Sequence, residues 1–314
     1  MTPGVDVLCI GDLDMDLLVA VSERPGSDEK VSGRRLGLMP GGMAANTAVA
    51  LARLGRSVRL LAAIGDDAEG ATALASVAAD GVDVSHVARR TGTDTFMCIV
   101  LLAPSGEKTL IRLETEAFMP RLSDLTPASL AGVRHVHLSY GSPELTACAL
   151  AQARRLGLST SLDLEVPDLK RAPERLADFL QLVDVLFLNR AGWEAVSDIL
   201  GHAPEPGTEG SGTIVVTLGA DGSRQVSTDG VEQAPGMPVE AVDTTGAGDC
   251  FAAAYLARLL EGAPVRERLR FANAAAALST QTFGAHAGMP LRAAVEARLS
   301  DKELGRPHTD YAHA

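Results

Sequence analysis

Residues Val242–Gly262 read "VDTTGAGDCFAAAYLARLLEG", two glycines and an aspartate set directly before an alanine-rich apolar run. The run has the composition of a helix, and the glycines place a turn at its start. Gly246 and Gly248 let the backbone come close to a ligand, and the N–H groups of Ala247, Gly248 and Asp249 open the helix. Amides without intrahelical partners, together with the helix dipole, attract an anion such as phosphate. Asp249 is the odd member. A carboxylate at a helix N-terminus is stable on electrostatic grounds alone. Beside a phosphate it repels, unless it takes a proton from a hydroxyl attacking that phosphate. These residues leave two readings open: an anion hole with a base at its edge, and a glycine-rich helix cap.

Outward from this stretch the chain alternates between strand and helix patterns. "VDVLCIG" (5–11) is a short apolar run ending in glycine, the pattern of a buried strand. "GGMAANTAVALARLG" (41–55) is a glycine turn opening a helix that Gly55 closes. "SVRLLAAIG" predicts a strand and "AEGATALASVAADG" a helix. The alternation resumes with strands "VRHVHLS", "LSTSLDL", "VDVLFLN" and "GTIVVTLG" and helices "ELTACALAQARRLG", "PERLADFLQL" and "AGWEAVSDILG". Such alternation predicts an α/β fold, with a mostly parallel sheet covered by helices on both faces. Ligands of open parallel sheets bind beyond the carboxyl ends of the strands, where glycine turns open helices.

Two segments break the rhythm. Residues 17–42 and 93–115 read as hairpins turning at Pro25-Gly26 and at Pro104-Ser105-Gly106. Together they predict a small separate sheet, a lid able to exclude water from a reacting site. Residues 201–212 have the composition of a mobile loop, and 301–314 read as a frayed polar tail.

The formal net charge is −12 and no Lys/Arg cluster runs long enough to follow a phosphate backbone, which argues against nucleic acid as a partner. A bound anion must then be held by local amides or a metal, because the overall field opposes it. Cys9, Cys98, Cys148 and Cys250 are scattered in apolar contexts without C-x-x-C spacing, and read as buried free thiols. No signal peptide or membrane span is legible, so the chain reads as cytoplasmic.

"DTTGAGDCF" (243–251) resembles the second signature of the ribokinase-like (PfkB) family of carbohydrate kinases, and "GGMAANTAVALARLG" resembles the first. "GDLDMD" (11–16), "IGDDAEG" (64–70), "VVTLGADG" (215–222) and "NAAAALSTQTFGAHAGMP" (273–290) fall in register, so the resemblance spans residues 5–299. It implies a single ribokinase-like three-layer sandwich over 1–314, with the β lid formed from about 17–40 and 93–115. The implied activity is ATP- and Mg²⁺-dependent phosphorylation of a sugar hydroxyl, ribokinase-, fructokinase- or ketodeoxygluconate-kinase-like and usually at a primary alcohol. Asp249 matches the family's catalytic base, and the amides of Gly246, Ala247, Gly248 and Asp249 its anion hole. Asp14, Asp16, Gly41, Gly42 and Asn46 match sugar-binding positions, with Asp14 where ribokinases often carry Asn. Asn189, Thr217, Gly219 and Asn273 fall in segments around the nucleotide. Asp243 and Thr245, with the segment near Gly284–Gly288, match a site for a monovalent cation such as K⁺. The residues agree in part: Asp14 and Asp16 share a side of their strand, and Asn46 sits on an apolar helix stripe, where it needs partners.

The pattern also fails in places. Relatives carry N-x-x-E after a late strand, the Glu arranging Mg²⁺-bound water. "LNRAGWE" (188–194) has Asn189, but Gly192 takes the Glu position and Glu194 lies two residues on, about 200° around a helix. Asp163 and Glu165 offer replacement carboxylates. Near Gly141 the polar substrate contact of ribokinases is missing. His135 and His137 share a face and read as buried, hydrogen-bonded imidazoles; Trp193 reads as helix packing. No P-loop or Rossmann fingerprint occurs. The alternatives are a nucleoside kinase with Phe96, Met97, Phe118 and Met119 around a base, an anionic sugar met by Arg34, Arg35 or Arg112, and a catalytically impaired sugar-binding homologue. The exposed edges of a lid sheet allow a homodimer through the lid.

Overall fold

In the first strand, β1 (Val5–Ile10), Val7 and Cys9 point into one hydrophobic core and Leu8 and Ile10 into another. Alternation of side chains about the strand sends neighbours to opposite faces. Burial on both faces is why residues 7–10 are apolar without a break, while the partly exposed start of the strand carries Asp6. The computed structural model describes residues 4–103, 108–139, 141–207 and 212–303. Its further strands are β2 (Asp14–Val21), β3 (Gly33–Gly41), β4 (Val58–Leu61), β5 (Ala63–Gly65), β6 (Ala88–Arg90), β7 (Met97–Leu102), β8 (Lys108–Leu113), β9 (Val133–Ser139), β10 (Ser159–Asp163), β11 (Val185–Asn189), β12 (Thr213–Thr217), β13 (Ser223–Ser227) and β14 (Gly230–Ala234). The helices are α1 (Met43–Arg53), α2 (Ala68–Ala79), α3 (Pro143–Arg155), α4 (Val166–Arg171), α5 (Leu176–Leu180), α6 (Arg190–Leu200), α7 (Ala247–Leu260), α8 (Val265–Ser279), α9 (Ala285–Gly288) and α10 (Arg292–Glu303).

The main sheet has the order β14-β13-β12-β11-β10-β9-β1-β4. Strands β4, β1, β9, β10, β11 and β12 run parallel, and β13 and β14 complete the sheet as an antiparallel hairpin. Helices α1, α2, α7, α8 and α10 pack on one face, and α3, α5 and α6 on the other, giving three layers. The second sheet, β3-β2-β7-β8, joins the two interrupting hairpins through parallel pairing of β2 with β7.

Several elements depart from the sequence expectations. "SVRLLAAIG" divides into β4 and β5, and β5 leaves the main sheet to pair with β6. "PERLADFLQL" gives a short 3₁₀ turn and then α5, preceded by the unexpected α4. Pro167 and Pro173 each sit in a first turn, where a residue without an N–H costs least, so each opens a separate short piece. The β13–β14 hairpin was carried by Asp229-Gly230, a turn signal that the expectations left unused; Gly230 has φ 121°. In the first hairpin of the small sheet the turn falls at Ser27–Asp28, with Asp28 at φ 60°, just beyond Pro25-Gly26. The turn at 104–106, residues 208–211 of the 201–212 loop and residues 304–314 of the tail lie outside the described residues.

Candidate active site

The predicted residues come from both sheets and from helices. Asn189 and Thr217 end β11 and β12 of the main sheet, Asp14 and Asp16 open β2 of the small one, and Asn46 and Asp249 lie on α1 and α7. Asp14 and Asp16 on β2 are buried, and they flank one glycine of the neighbouring strand. A Cβ on Gly41 would lie 2.6 Å from Asp14 Oδ1 and 2.6 Å from Asp16 Oδ2, so no larger residue fits between these carboxylates. Gly42, at φ 98°, caps α1, and a Cβ there would meet the Asp12 carbonyl oxygen at 2.7 Å. Asp12, which sequence reading left out, accepts a hydrogen bond from Ala44 N–H at 3.1 Å and thereby fixes the start of α1. Burial, then the charges of Asp16, Asp12 and Asp249, push Asp14 well above the ordinary carboxylate range. Burial, then Asp12 and Asp243, raise Asp16 to about 7.

Asn46, on the buried side of α1, donates from Nδ2 to Asp249 Oδ2 at 2.8 Å, a link across 203 residues of sequence. Asp249 lies in the first turn of α7 and is buried. Burial raises its pKa well above the usual value, the Asn46 bond pulls it down, and the charges of Asp163, Asp12 and Glu165 push it up again. Asn46 Oδ1 and Asp14 Oδ1 are both buried without a hydrogen-bond partner. Gly246, at φ 74°, begins α7, and a Cβ on Gly248 would meet no atom within 4 Å. Ala247 N–H, one of the expected anion-hole amides, bonds back to Thr244 O at 3.3 Å.

The loop before α7 is tied on three sides. Asp243 Oδ1 accepts from Thr245 N–H at 3.0 Å and from the Thr245 hydroxyl at 2.7 Å, and Oδ2 accepts from Gly284 N–H at 2.9 Å. The third tie is Lys108, at the start of β8, whose Nζ lies 2.5 Å from Asp243 Oδ1 and 2.8 Å from Thr245 Oγ1. No sequence motif marked that lysine. Arg53, at the end of α1, braces the same region from below. It pairs with both carboxylate oxygens of Asp80 at 2.7 and 3.0 Å and donates to the carbonyls of His286 (2.6 Å) and Met289 (2.9 Å).

On the other side Asn189 and Thr217 are register partners at the ends of β11 and β12. Asn189 Oδ1 caps α6 by accepting from Gly192 N–H at 2.7 Å. Gly219 has φ 63° and open space where a Cβ would be. Asn273 donates to the Ala234 and Pro235 carbonyls, both at 3.1 Å, and lines a cavity of about 190 Å³ with Arg266, Arg270 and Leu299. Glu194 is exposed and Gly192 buried, so the helix turns Glu194 away from its neighbour's position. A Cβ on Gly192 would stand 3.4 Å from Leu164 O, against the loop that carries Glu165. Asp163 ends β10; burial, then Glu165 and Asp168, raise it to about 7.

The remaining candidates resolve as packing. Met119 fills the space beside Gly141, where a Cβ would lie 2.4 Å from its Cε. Phe96 and Phe118 meet edge to face at 4.6 Å, and the Arg112 guanidinium sits 4.6 Å from the Phe118 centroid. His135 and His137 are fully buried and bonded to Ser159 and Ser161, each contact at 2.8 Å. Trp193 packs beside the second core under Arg224. Arg34 and Arg35 are exposed, and all four cysteines are free thiols.

Strand ends that bring acidic side chains to the N-terminus of a glycine-led helix, under a second sheet, define the class: an α/β phosphotransferase. Residues 5–292 match the pfkB family of carbohydrate kinases, and the chain belongs to that family. It is 32% identical over 307 residues to a ribokinase of Bacillus subtilis (strain 168), covering 94% of this chain and 99% of the relative. It is 31% identical over 301 residues to an ATP-dependent ribose-1-phosphate kinase of Halopiger xanaduensis, covering 95% and 99%. The fold superposes with TM-score 0.80 on a putative ribokinase II from E. coli in complex with ATP and Mg²⁺, at 22% identity and covering 94% and 99%. The protein is accordingly an ATP-dependent kinase of the carbohydrate type.

Proposed function

We propose that the chain transfers the γ-phosphoryl group of ATP to a primary hydroxyl of a small free sugar, with Asp249 as general base. One observation carries the reading. Asn46 joins Asp249 to the pocket of Asp14 and Asp16, and two acceptors there, Asn46 Oδ1 and Asp14 Oδ1, are buried and unpaired. Buried unpaired acceptors are costly, and the hydroxyls of a polyol supply the missing donors. A hydroxyl held beside Asp249 gives up its proton to the carboxylate as it attacks phosphorus. The first-turn amides of α7 then meet the charge on the transferring group. Mg²⁺ bound with the nucleotide supplies charge neutralisation on the phosphates. Asp163 and Glu165 would hold it or its waters, since their hard oxygen donors suit the ion and their loop packs against Gly192, where relatives place the missing glutamate.

On this reading the whole chain is one kinase domain, and the small sheet is its lid, which keeps water from competing for the phosphoryl group. Exposed Leu110, Ile111 and Leu113 on the outer strand β8 support a homodimer through that sheet. The free cysteines support a reducing, cytoplasmic setting. Among the described residues no helix is long and apolar enough to cross a membrane.

A phosphorylated sugar is the second reading. Arg112 and Arg171 both reach Glu114 Oε1, at 3.1 and 3.5 Å, so two guanidinium groups converge beside the carboxylate pocket. A nucleoside is less well supported, because Phe96 and Phe118 are already packed on each other and on Arg112. The test is ADP release with Mg²⁺-ATP over ribose, fructose, 2-keto-3-deoxygluconate, ribose 1-phosphate, adenosine and inosine. Turnover of a free sugar supports the proposal, and turnover of the phosphate or a nucleoside replaces it. No turnover, with ligands raising the melting temperature, leaves a sugar-binding homologue.

A further inference from the structure

The loop of Asp243 and Thr245 matches a monovalent-cation site by family resemblance, yet its oxygens are engaged by a cation of the protein's own. Lys108 Nζ stands 2.5 Å from Asp243 Oδ1, 2.8 Å from Thr245 Oγ1 and 3.4 Å from Thr244 Oγ1. An ammonium carries one positive charge and three donors, and here it faces three oxygens. Asp243 is 3% exposed, and a buried carboxylate needs a counter-charge. The residues present do not fit an added K⁺, because the Lys108 ammonium already meets this carboxylate. Burial works against the Asp243 charge, yet the bonds from Lys108, Gly284 and Thr245 hold its pKa at about 2. Lys108 also belongs to the small sheet, while Asp243 belongs to the loop that opens α7, 135 residues away. A second contact joins the same two bodies: Met39 of β3 lies against Gly284, where a Cβ would come within 2.4 Å of its Sδ.

We propose that Lys108 is a built-in counter-cation, so that docking of the small sheet organises the anion-hole loop and the enzyme runs without K⁺. This rests on the kinase reading, with Lys108 as a positioning residue that acts through Asp243 and Thr245. Without Lys108, the carboxylate is left buried and uncompensated, and a small monovalent cation becomes able to take its place.

The experiment measures turnover and thermal unfolding of wild type, Lys108→Met and Lys108→Gln, with K⁺, NH₄⁺ or tetramethylammonium as the only monovalent cation. Wild-type turnover is expected to be the same in all three. The variants are expected to lose at least about tenfold in kcat/KM in tetramethylammonium, the cost of stranding a buried charge. They should recover with K⁺ or NH₄⁺, and their melting temperatures should rise with K⁺ while that of wild type does not. Strong stimulation of wild type by K⁺ overturns the inference, as do variants that match wild type. A loss of turnover that K⁺ restores in neither activity nor melting temperature also overturns it, placing Lys108 at the phosphates instead. A wild type that turns over nothing sinks the kinase reading alone, because the melting response to K⁺ still reports on Lys108.

Discussion

At the scale of single residues, the site is a set of carboxylates held in surroundings that oppose their ionisation. As the proposed base, Asp249 would have to be ionised to accept a proton, and Asn46 is a donor that favours that form. Replacing Asn46 with Ala removes this support, so the acid limb of the kcat/KM profile should move to higher pH. An unmoved limb would show that Asn46 does not tune the base. Asp163 gives a prediction that needs no substrate. Its carboxyl is raised to about 7 by burial and by Glu165 and Asp168. Because the folded pKa exceeds the unfolded one, the folded state holds the proton longer. The stabilisation is therefore complete below about pH 4 and lost as the pH rises to about 7. Asp163→Asn abolishes that loss. Relative to wild type, its melting temperature should climb between about pH 5 and about pH 8, and parallel curves would contradict the assignment.

At the scale of elements, Arg53 shows how a helix end sets the site. It links the last turn of α1 to Asp80 and to the carbonyls of His286 within α9 and Met289 just after it, and so holds the segment whose Gly284 anchors Asp243. Arg53→Ala should cost about 1–3 kcal/mol in urea unfolding, the range for hydrogen bonds to a charged group that is partly solvated. An effect within error would mean that solvent replaces the clasp. Elements of this kind were legible where one local rule decides. "VDVLCIG" announces a doubly buried strand, Asp14 and Asp16 share a side by strand alternation, and Asn46 stands out as the polar residue on an apolar helix stripe. What escaped depends on contacts between distant segments. Lys108 has no local mark that distinguishes it from a solvated lysine, and its partners lie 135 to 137 residues on. Met119 beside Gly141 explains a missing polar contact only after the chain is folded. The prolines 167 and 173 were visible, but the short helices they open were too brief for a periodic signal.

At the scale of the whole molecule, two sheets meet at one loop. The main sheet brings Asp12, Asp163, Asn189 and Thr217 to its carboxyl edge, as open parallel sheets do. The small sheet adds Asp14 and Asp16 from one strand and Lys108 from another. On the proposed reading, substrate pocket, base and anion hole belong to both bodies, and phosphoryl transfer would require them together. The direct test is to compare ADP release by wild type and Asp249→Asn, with saturating Mg²⁺-ATP and the sugar that wild type turns over. Loss of a general base predicts a rate lower by about 10²–10⁴-fold in a variant that melts no lower than wild type. A folded Asp249→Asn enzyme that keeps more than about a tenth of wild-type turnover would contradict proton transfer to Asp249.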